Sequence, residues 1–348
     1  MKNALTRFVL NLMIFILIPV TILSLVFFIF DPFLIFLGSD ASEEIKDYYS
    51  KKCRVGTNLE HVSLVNLSHQ MKKREINSFI FGSSRAGAFD RSYWESSYLS
   101  PDDNAFLLNA AGDSLEGMKR KLTYLDKKNV NIKNVIITFD LDSLRQKEKE
   151  PFLLIDSPLV VESIEKKAMF YLQHVKTFFN PKFLFPLALS KISKGKICNT
   201  DFNTFVLNSK AITFDSRTNN RFFHEVEKQI DEDPNNFYKT PSLLSQFKKQ
   251  RTRTLPSVLS DRQEGFLIKI AEIFKKHKTN YKVVIHPGWQ TEYLHPKDLT
   301  LINDIFGESN TFDLTLNNWN RKRENWYDEK HPRPHVTKEI ISLLYKGN

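Results

Sequence analysis

INSFIFGSSRAG, from Ile76 to Gly87, is an apolar run that closes on a glycine and then on two serines. A short apolar segment bounded by turn residues reads as a buried strand. Two more runs have the same form: AFLLNAAG (Ala105 to Gly112) and NVIITFDLD (Asn134 to Asp142). Between them, SLEGMKRKLTYLDKK sets Leu115, Met118, Leu122 and Leu125 at helical spacing. Strand, helix and strand in that order imply βαβ units and a parallel sheet. The pattern returns as a helix in EGFLIKIAEIFKKHK (Glu264 to Lys278), a strand and loop in YKVVIHPGW (Tyr281 to Trp289) and a terminal helix in HVTKEIISLLYK. Residues 40–75 read as polar and helical with a loop around Gly56. Residues 145–260 hold few strand-like runs and many Phe and Lys, and read as a mainly helical insertion or lid, with helices at 161–179 and in PKFLFPLALSKI.

Upstream, Phe8 to Phe30 contains no charged residue. At about 1.5 Å per residue, such a helix crosses a hydrocarbon core of about 30 Å. Lys2 and Arg7 precede it, so the N-terminus is expected to stay cytoplasmic and the rest of the chain to be exported. The competing reading is a cleaved signal peptide, whose apolar core is shorter and is followed by small residues. The run continues instead into FFIFDPFLIF, which favours an uncleaved single-pass anchor over residues 1–38 and an extracytoplasmic domain over 39–348, in a periplasm or at the outer surface. Asp31-Pro32 is expected to end the helix.

A hydrophobic content of 41% suits a packed domain, and the formal charge of +10 suits anionic partners. The basic residues are scattered among Glu and Asp, and no polybasic run or zinc-finger spacing points to nucleic acid. The two cysteines, Cys53 and Cys198, form no CxxC, so neither a redox motif nor a zinc site is read. An oxidising compartment permits a disulfide between them; the sequence leaves open whether they approach.

Ser83 and Ser84 follow a strand directly, where the loops past the carboxyl ends of parallel strands build sites. A nucleophilic serine needs exposure there, a base for its proton and donors for an oxyanion. A Gly-Ser-Ser can equally be a turn with a helix cap. In WYDEKHPRPHVTKEI, Asp328 lies three residues before His331, close enough to accept its Nδ1–H and fix the tautomer. His335, His286, Trp319, Trp326 and Tyr327 are read first as surface, loop or packing residues.

GSSR after the first strand and DxxH before the last helix together resemble the first and last blocks of the SGNH/GDSL hydrolase superfamily. HPRPHVTKEII and the N-terminal anchor are similar to the membrane-anchored branch that includes teichoic-acid D-alanine transfer and alginate O-acetyltransferase-like proteins. The resemblance covers the anchor and residues 76–142 and 280–345, but not the insertion. It implies a flavodoxin-like three-layer α/β/α sandwich with Ser84, Asp328 and His331 as triad. It also implies oxyanion and substrate contacts from Gly112, Ser83, Arg85 and Asn109. Gly112 to Leu115 spells a literal Gly-Asp-Ser-Leu, which makes Ser114 a rival nucleophile, although INSFIFGSSR would then be superfluous. Asp140 and Asp142 stand where the family carries Gly-x-Asn-Asp, and an ionised carboxylate cannot donate a hydrogen bond.

The function expected is a membrane-anchored serine O-acyltransferase or esterase acting on an envelope glycan. It would need no cofactor or metal, would use an acyl donor, and could work beside a membrane acyltransferase partner. The alternatives are a non-catalytic binding or assembly protein of the same fold, and a lipid esterase whose mark would be an apolar groove lined by the insertion.

Overall fold

Runs rich in β-branched and aromatic residues become five parallel strands of one sheet. They are β1 (Ser78–Gly82), β2 (Ala105–Asn109), β3 (Asn134–Phe139), β4 (Asn280–Ile285) and β5 (Thr311–Asp313). Their spatial order is β5-β4-β3-β1-β2, with every pair parallel. Read from the other edge this is 2-1-3-4-5, the flavodoxin-like order. The computed structural model describes residues 2–38, 40–145, 154–198, 207–208, 212–247, 250–316 and 318–346. The expected insertion therefore lies partly outside the described residues.

The principal helices are α1 (Lys2–Phe30), α2 (Leu59–Gln70), α3 (Leu115–Lys127), α4 (Ile164–Phe178), α5 (Pro181–Ile192), α6 (Asp261–His277), α7 (Pro296–Phe306) and α8 (Pro334–Leu344). Strand alternation divides the core in two. Phe79 and Phe81 of β1 pack with Leu122 of α3, Ile270 of α6 and Ile302 of α7 on one face. Ile80 packs with Trp94 and with Val336 and Ile340 of α8 on the other. Strands buried on both faces and covered by helices give a three-layer α/β arrangement. Each fully buried phenylalanine contributes about 1.5–3 kcal/mol, so Phe79, Phe81, Phe106 and Phe139, all at 0% exposure, make the first face a main source of stability.

The insertion is helical in α4 and α5, as expected, but it also carries an antiparallel hairpin of Thr213–Asp215 and Asn220–Phe222. Its turn docks on the open edge of β2. The Leu107 N–H donates to the Thr218 carbonyl at 3.0 Å, and Asn219 Nδ2 donates to the Leu107 carbonyl at 2.8 Å. An otherwise unpaired edge is thereby covered.

The span Ala4–Phe30 within α1 contains an 18-residue window with a mean hydropathy of 3.0 and is long and apolar enough to cross a membrane, compatible with a single-pass anchor. The helix ends at Phe30, as Asp31-Pro32 predicts. Asp31 takes φ 34°, and its carboxylate accepts the N–H groups of Ile35 (2.9 Å) and Phe36 (2.7 Å).

Cys53 and Cys198 form a disulfide with Cα atoms 5.6 Å apart, settling the pairing that the sequence leaves open. It ties the segment after α1 to the insertion across 145 residues. Replacing both cysteines by serine is expected to lower the unfolding free energy by about 2–4 kcal/mol. A denaturant midpoint unchanged by the double replacement would contradict this.

Candidate functional site

The site starts from the end of β1. A Cβ on Gly82 would overlap Thr138 Oγ1 of β3 and lie 2.8 Å from Ala86 Cβ. Only glycine lets β1 run this close to β3 and then turn into the 3-10 segment Ser84–Ala88. Ser83 caps that segment: its Oγ accepts the Arg85 N–H at 3.3 Å and donates to Asp140 Oδ2. Asp140 in turn caps the short helix Leu141–Leu144, accepting the Ser143 N–H at 2.9 Å. The sequence DLDS after β3 thus serves as a brace for the serine turn. Because the neighbours of β1 lie to opposite sides in sequence order, Ser84 sits at the topological switch point, where open α/β sheets form crevices.

His331 arrives from the loop before α8. That loop is pinned by the Tyr327 N–H donating to the His331 carbonyl at 2.8 Å. Across 247 residues of sequence, His331 Nε2 lies 2.8 Å from Ser84 Oγ. His331 Nδ1 lies 2.8 Å from both Asp328 Oδ1 and Oδ2. A proton on Nδ1, facing the carboxylate, leaves Nε2 free to accept from the serine. Burial pushes the Asp328 carboxyl upward, but the hydrogen bond from His331, its charge, and the N–H groups of Lys330 and His331 outweigh it. The net result is a carboxyl below the usual carboxylate range.

Arg85 joins the two halves of the site. Its Nε lies 3.8 Å from Asp140 Oδ2, and its guanidinium reaches Asp142 at 3.7 Å. Lys330, next to His331, contacts the same Asp142 oxygen at 2.9 Å. One pair of carboxylates therefore holds both the serine turn and the histidine loop.

Ser84, Asp328 and His331 line a cleft of about 990 Å³. Its far wall is apolar and comes from the insertion: Phe222, Phe223, Val226, Phe237 and Leu243. Its polar end holds Asn109, Asn220, Arg221 and Arg91. Asn109 Nδ2 donates to the Ser83 carbonyl at 3.3 Å, one residue from Ser84. Arg221 lies 3.5 Å from Asn109 Oδ1. Asn220 is 1% exposed, yet neither its Oδ1 nor its Nδ2 has a hydrogen-bond partner among the described residues. Arg91 is also 1% exposed, and burial, followed by the charge of Arg221, pulls it down to about 9.

Two expectations are corrected, the first being Ser83, which is buried with its hydroxyl committed to Asp140 and does not line the cleft. Gly112 does not line the cleft: it is exposed, in the left-handed region at φ +56°, and faces Leu154. The reason lies in the next residues. Asp113 is buried and paired with Lys121, whose Nζ also holds the Leu108 carbonyl at 3.0 Å, while Ser114 Oγ accepts the Gly117 N–H at 3.2 Å as the cap of α3. The literal Gly-Asp-Ser is therefore a helix start that carries Gly112 away from the cleft, and Ser114 has a capping role. Asp113→Ala should destabilise by about 3–5 kcal/mol by stranding the Lys121 ammonium, whereas Ser114→Ala should cost about 1 kcal/mol. Chemical denaturation of the two variants checks the order, and equal small effects would contradict it.

The remaining residues fall as packing. His286 is buried, its Nδ1 2.6 Å from the Pro287 carbonyl, and burial with the charge of Arg85 drives it down to about 3. His335 Nε2 meets Asn325 Oδ1 at 3.0 Å on the surface. Trp326 is fully buried, with its Nε1 donating to the Trp319 carbonyl at 3.1 Å, and Trp319 donates to Glu339. Tyr327 does line the cleft. Asn220, Arg221 and Arg91 were not singled out from the sequence. The signal available was the polar-to-aromatic segment TNNRFF (Thr218 to Phe223), which is unusual inside a Lys- and Phe-rich insertion.

Compared with known proteins, the chain matches no family model and no curated protein.

Proposed function

We propose that the protein is a serine acyltransferase or esterase of the SGNH/GDSL type, acting outside the cytoplasm on an envelope glycan. The observation that carries this reading is the Ser84–His331–Asp328 chain of 2.8 Å contacts. The strand order, the serine after β1 and Asp-x-x-His before α8 support the family placement.

In the proposed step Ser84 Oγ attacks an acyl carbonyl while His331 Nε2 takes the hydroxyl proton. The C–X bond of the donor breaks, and His331 returns the proton to the leaving group. A sugar hydroxyl, or water, then attacks the acyl-serine, with His331 again accepting its proton; the acyl–Oγ bond breaks and His331 returns that proton to Ser84 Oγ. The tetrahedral oxyanion needs donors that are already in place. Without Gly112, the candidates are the Ser84 N–H, which has no intrahelical acceptor at the first position of its turn, and the amides of Asn109 and Asn220. Asn220→Ala is expected to lower kcat by about 10²–10³-fold with KM little changed. An equal rise in KM at constant kcat would instead make Asn220 a ground-state contact.

The apolar wall suits an acyl chain, and the guanidiniums of Arg91 and Arg221 suit a polar or anionic acceptor. The wall also favours one second reading, a lipid esterase, because it is built from the insertion as that reading requires. The hydrogen-bonded triad weighs against a purely binding role. The test is mass spectrometry of envelope glycans and lipids from cells carrying the native chain or Ser84→Ala. Loss of an O-acyl mass on the glycan supports the main reading, accumulation of an acylated lipid supports the second, and identical profiles contradict both.

A further inference from the structure

The two insertion helices α4 and α5 pack against the outer end of α1 and nowhere near Ser84. Phe178 of α4 lies 5.1 Å from Phe27 of α1, and Phe183 of α5 stacks on Phe33 at 5.0 Å. Leu23 and Val26 join the same cluster. The depth of this contact follows from helix geometry. Arg7 belongs in the inner headgroups, and Phe8 to Phe30 then spans about 35 Å, slightly more than a hydrocarbon core of about 30 Å. The last turns of α1, and the helices seated on them, fall at the acyl–headgroup boundary of the outer leaflet.

The outward face of α5 is apolar, and α4 adds exposed apolar residues set among Glu165, Lys166, Lys167 and Lys176. On α5, Phe185 (76% exposed), Leu189 and Ile192 (81% exposed) fall at i, i+4 and i+7, one stripe. On α4, Ile164 (80% exposed) and Leu172 lie outward at i and i+8. Such a patch facing water is a liability in a protein otherwise well packed. Lysines flank it: Lys182 and Lys191 on α5, and Lys194 and Lys196 just beyond. An apolar stripe bordered by lysines is the pattern of a helix lying in a bilayer interface, where long basic side chains reach the headgroups.

We propose that α4 and α5 form a monotopic membrane seat, with their outer stripe lying in the acyl–headgroup region of an anionic outer leaflet beside the anchor. Three things select lipid as the occupant: continuity with the lipid-facing surface of α1, the depth at which the pair is held, and the flanking positive charge. The domain is then held at two places, a span and a seat, and cannot swing freely about the anchor. This inference is independent of the chemistry at Ser84.

The test uses the full chain, disulfide intact, in nanodiscs of phosphatidylethanolamine and phosphatidylglycerol with no other protein. An environment-sensitive nitrobenzoxadiazole label is placed on Phe185→Cys or, as control, on Lys269→Cys of α6. The expected result is blue-shifted emission at position 185, quenched more by a nitroxide near the top of the acyl chain than by one at mid-chain, with no quenching at 269. Water-like, unquenched emission at 185 overturns the proposal and leaves a protein partner as the occupant of the face. Stronger mid-chain quenching also overturns it, since the helices would then be inserted rather than seated. Circular dichroism of both labelled proteins shows that the fold is kept, and neither position touches the cleft.

Discussion

Ser84→Ala should lower kcat for an activated ester by at least about 10⁴-fold, while leaving the folded protein as stable as before. The size follows from what the hydroxyl does. Its Oγ is the group that His331 Nε2 contacts at 2.8 Å, at the floor of the cleft, and no other described hydroxyl shares that imidazole. Ser83 cannot substitute, because its hydroxyl is committed to Asp140 at the buried side of the turn. Stability should change little, since Ser84 is only half-buried and its turn is held by Gly82, Ser83 and Asp140. The check is a progress curve with a nitrophenyl ester, beside a denaturation curve of the same preparation. Residual activity within tenfold of the native protein would contradict the assignment.

Asp328→Asn should lower kcat by about 10³–10⁴-fold without displacing the loop. An amide at this position can donate to Nδ1, which stabilises the tautomer that carries its proton on Nε2, and that tautomer cannot accept from Ser84. The substitution also removes the charge that stabilises the imidazolium formed during attack. The pH dependence separates this from a folding defect. The folded Asp328 carboxyl lies below its ordinary value, so the stability it lends is complete above the unfolded value and is lost as pH falls through the lowered folded one. Near neutral pH the native carboxylate is charged throughout, so the stability difference between the native protein and Asp328→Asn should be full there and shrink as the pH falls through the lowered value. Denaturation curves of both proteins across that range, beside ester hydrolysis rates at neutral pH, check this. A stability difference that does not change with pH, or a rate within tenfold of native, would contradict the role of Asp328.

The sheet was legible from the chain because its central strands are buried on both faces, and such strands appear as continuous apolar runs. β5 was not, since Thr311–Asp313 is a short edge strand and only partly buried. The serine and histidine were legible because each sits where an element boundary falls, Ser84 after a glycine-closed strand and His331 before a proline-started helix. The proposed oxyanion donors were harder to read. A glycine after the second strand looked suitable, but the neighbouring Asp113–Lys121 pair and the Ser114 cap, which decide where that glycine points, become visible only in three dimensions. The hairpin that delivers Asn220 and Arg221 was hidden for another reason. Its strands are short, polar and half-exposed, and they are stabilised by docking on Leu107 of β2, a contact with no local sequence pattern.

The disulfide and the exposed stripe on α5 make one physical picture with α1. Cys198 follows α5 closely and is tied to Cys53, in the segment that follows α1. Chain entropy is thereby removed at the place where the insertion meets α1. A reduced protein should keep its sheet and cleft but hold the helical pair less firmly.

The central claim is that the hydroxyl of Ser84 is activated by His331. The most direct measurement is to treat the full-length protein with a fluorophosphonate, digest it and locate the adduct by peptide mass spectrometry. The account predicts a single adduct on the peptide containing Ser84, absent after His331→Ala although that variant remains folded. An adduct on Ser114 or another residue, or none on native protein that is folded and has an open cleft, would contradict it.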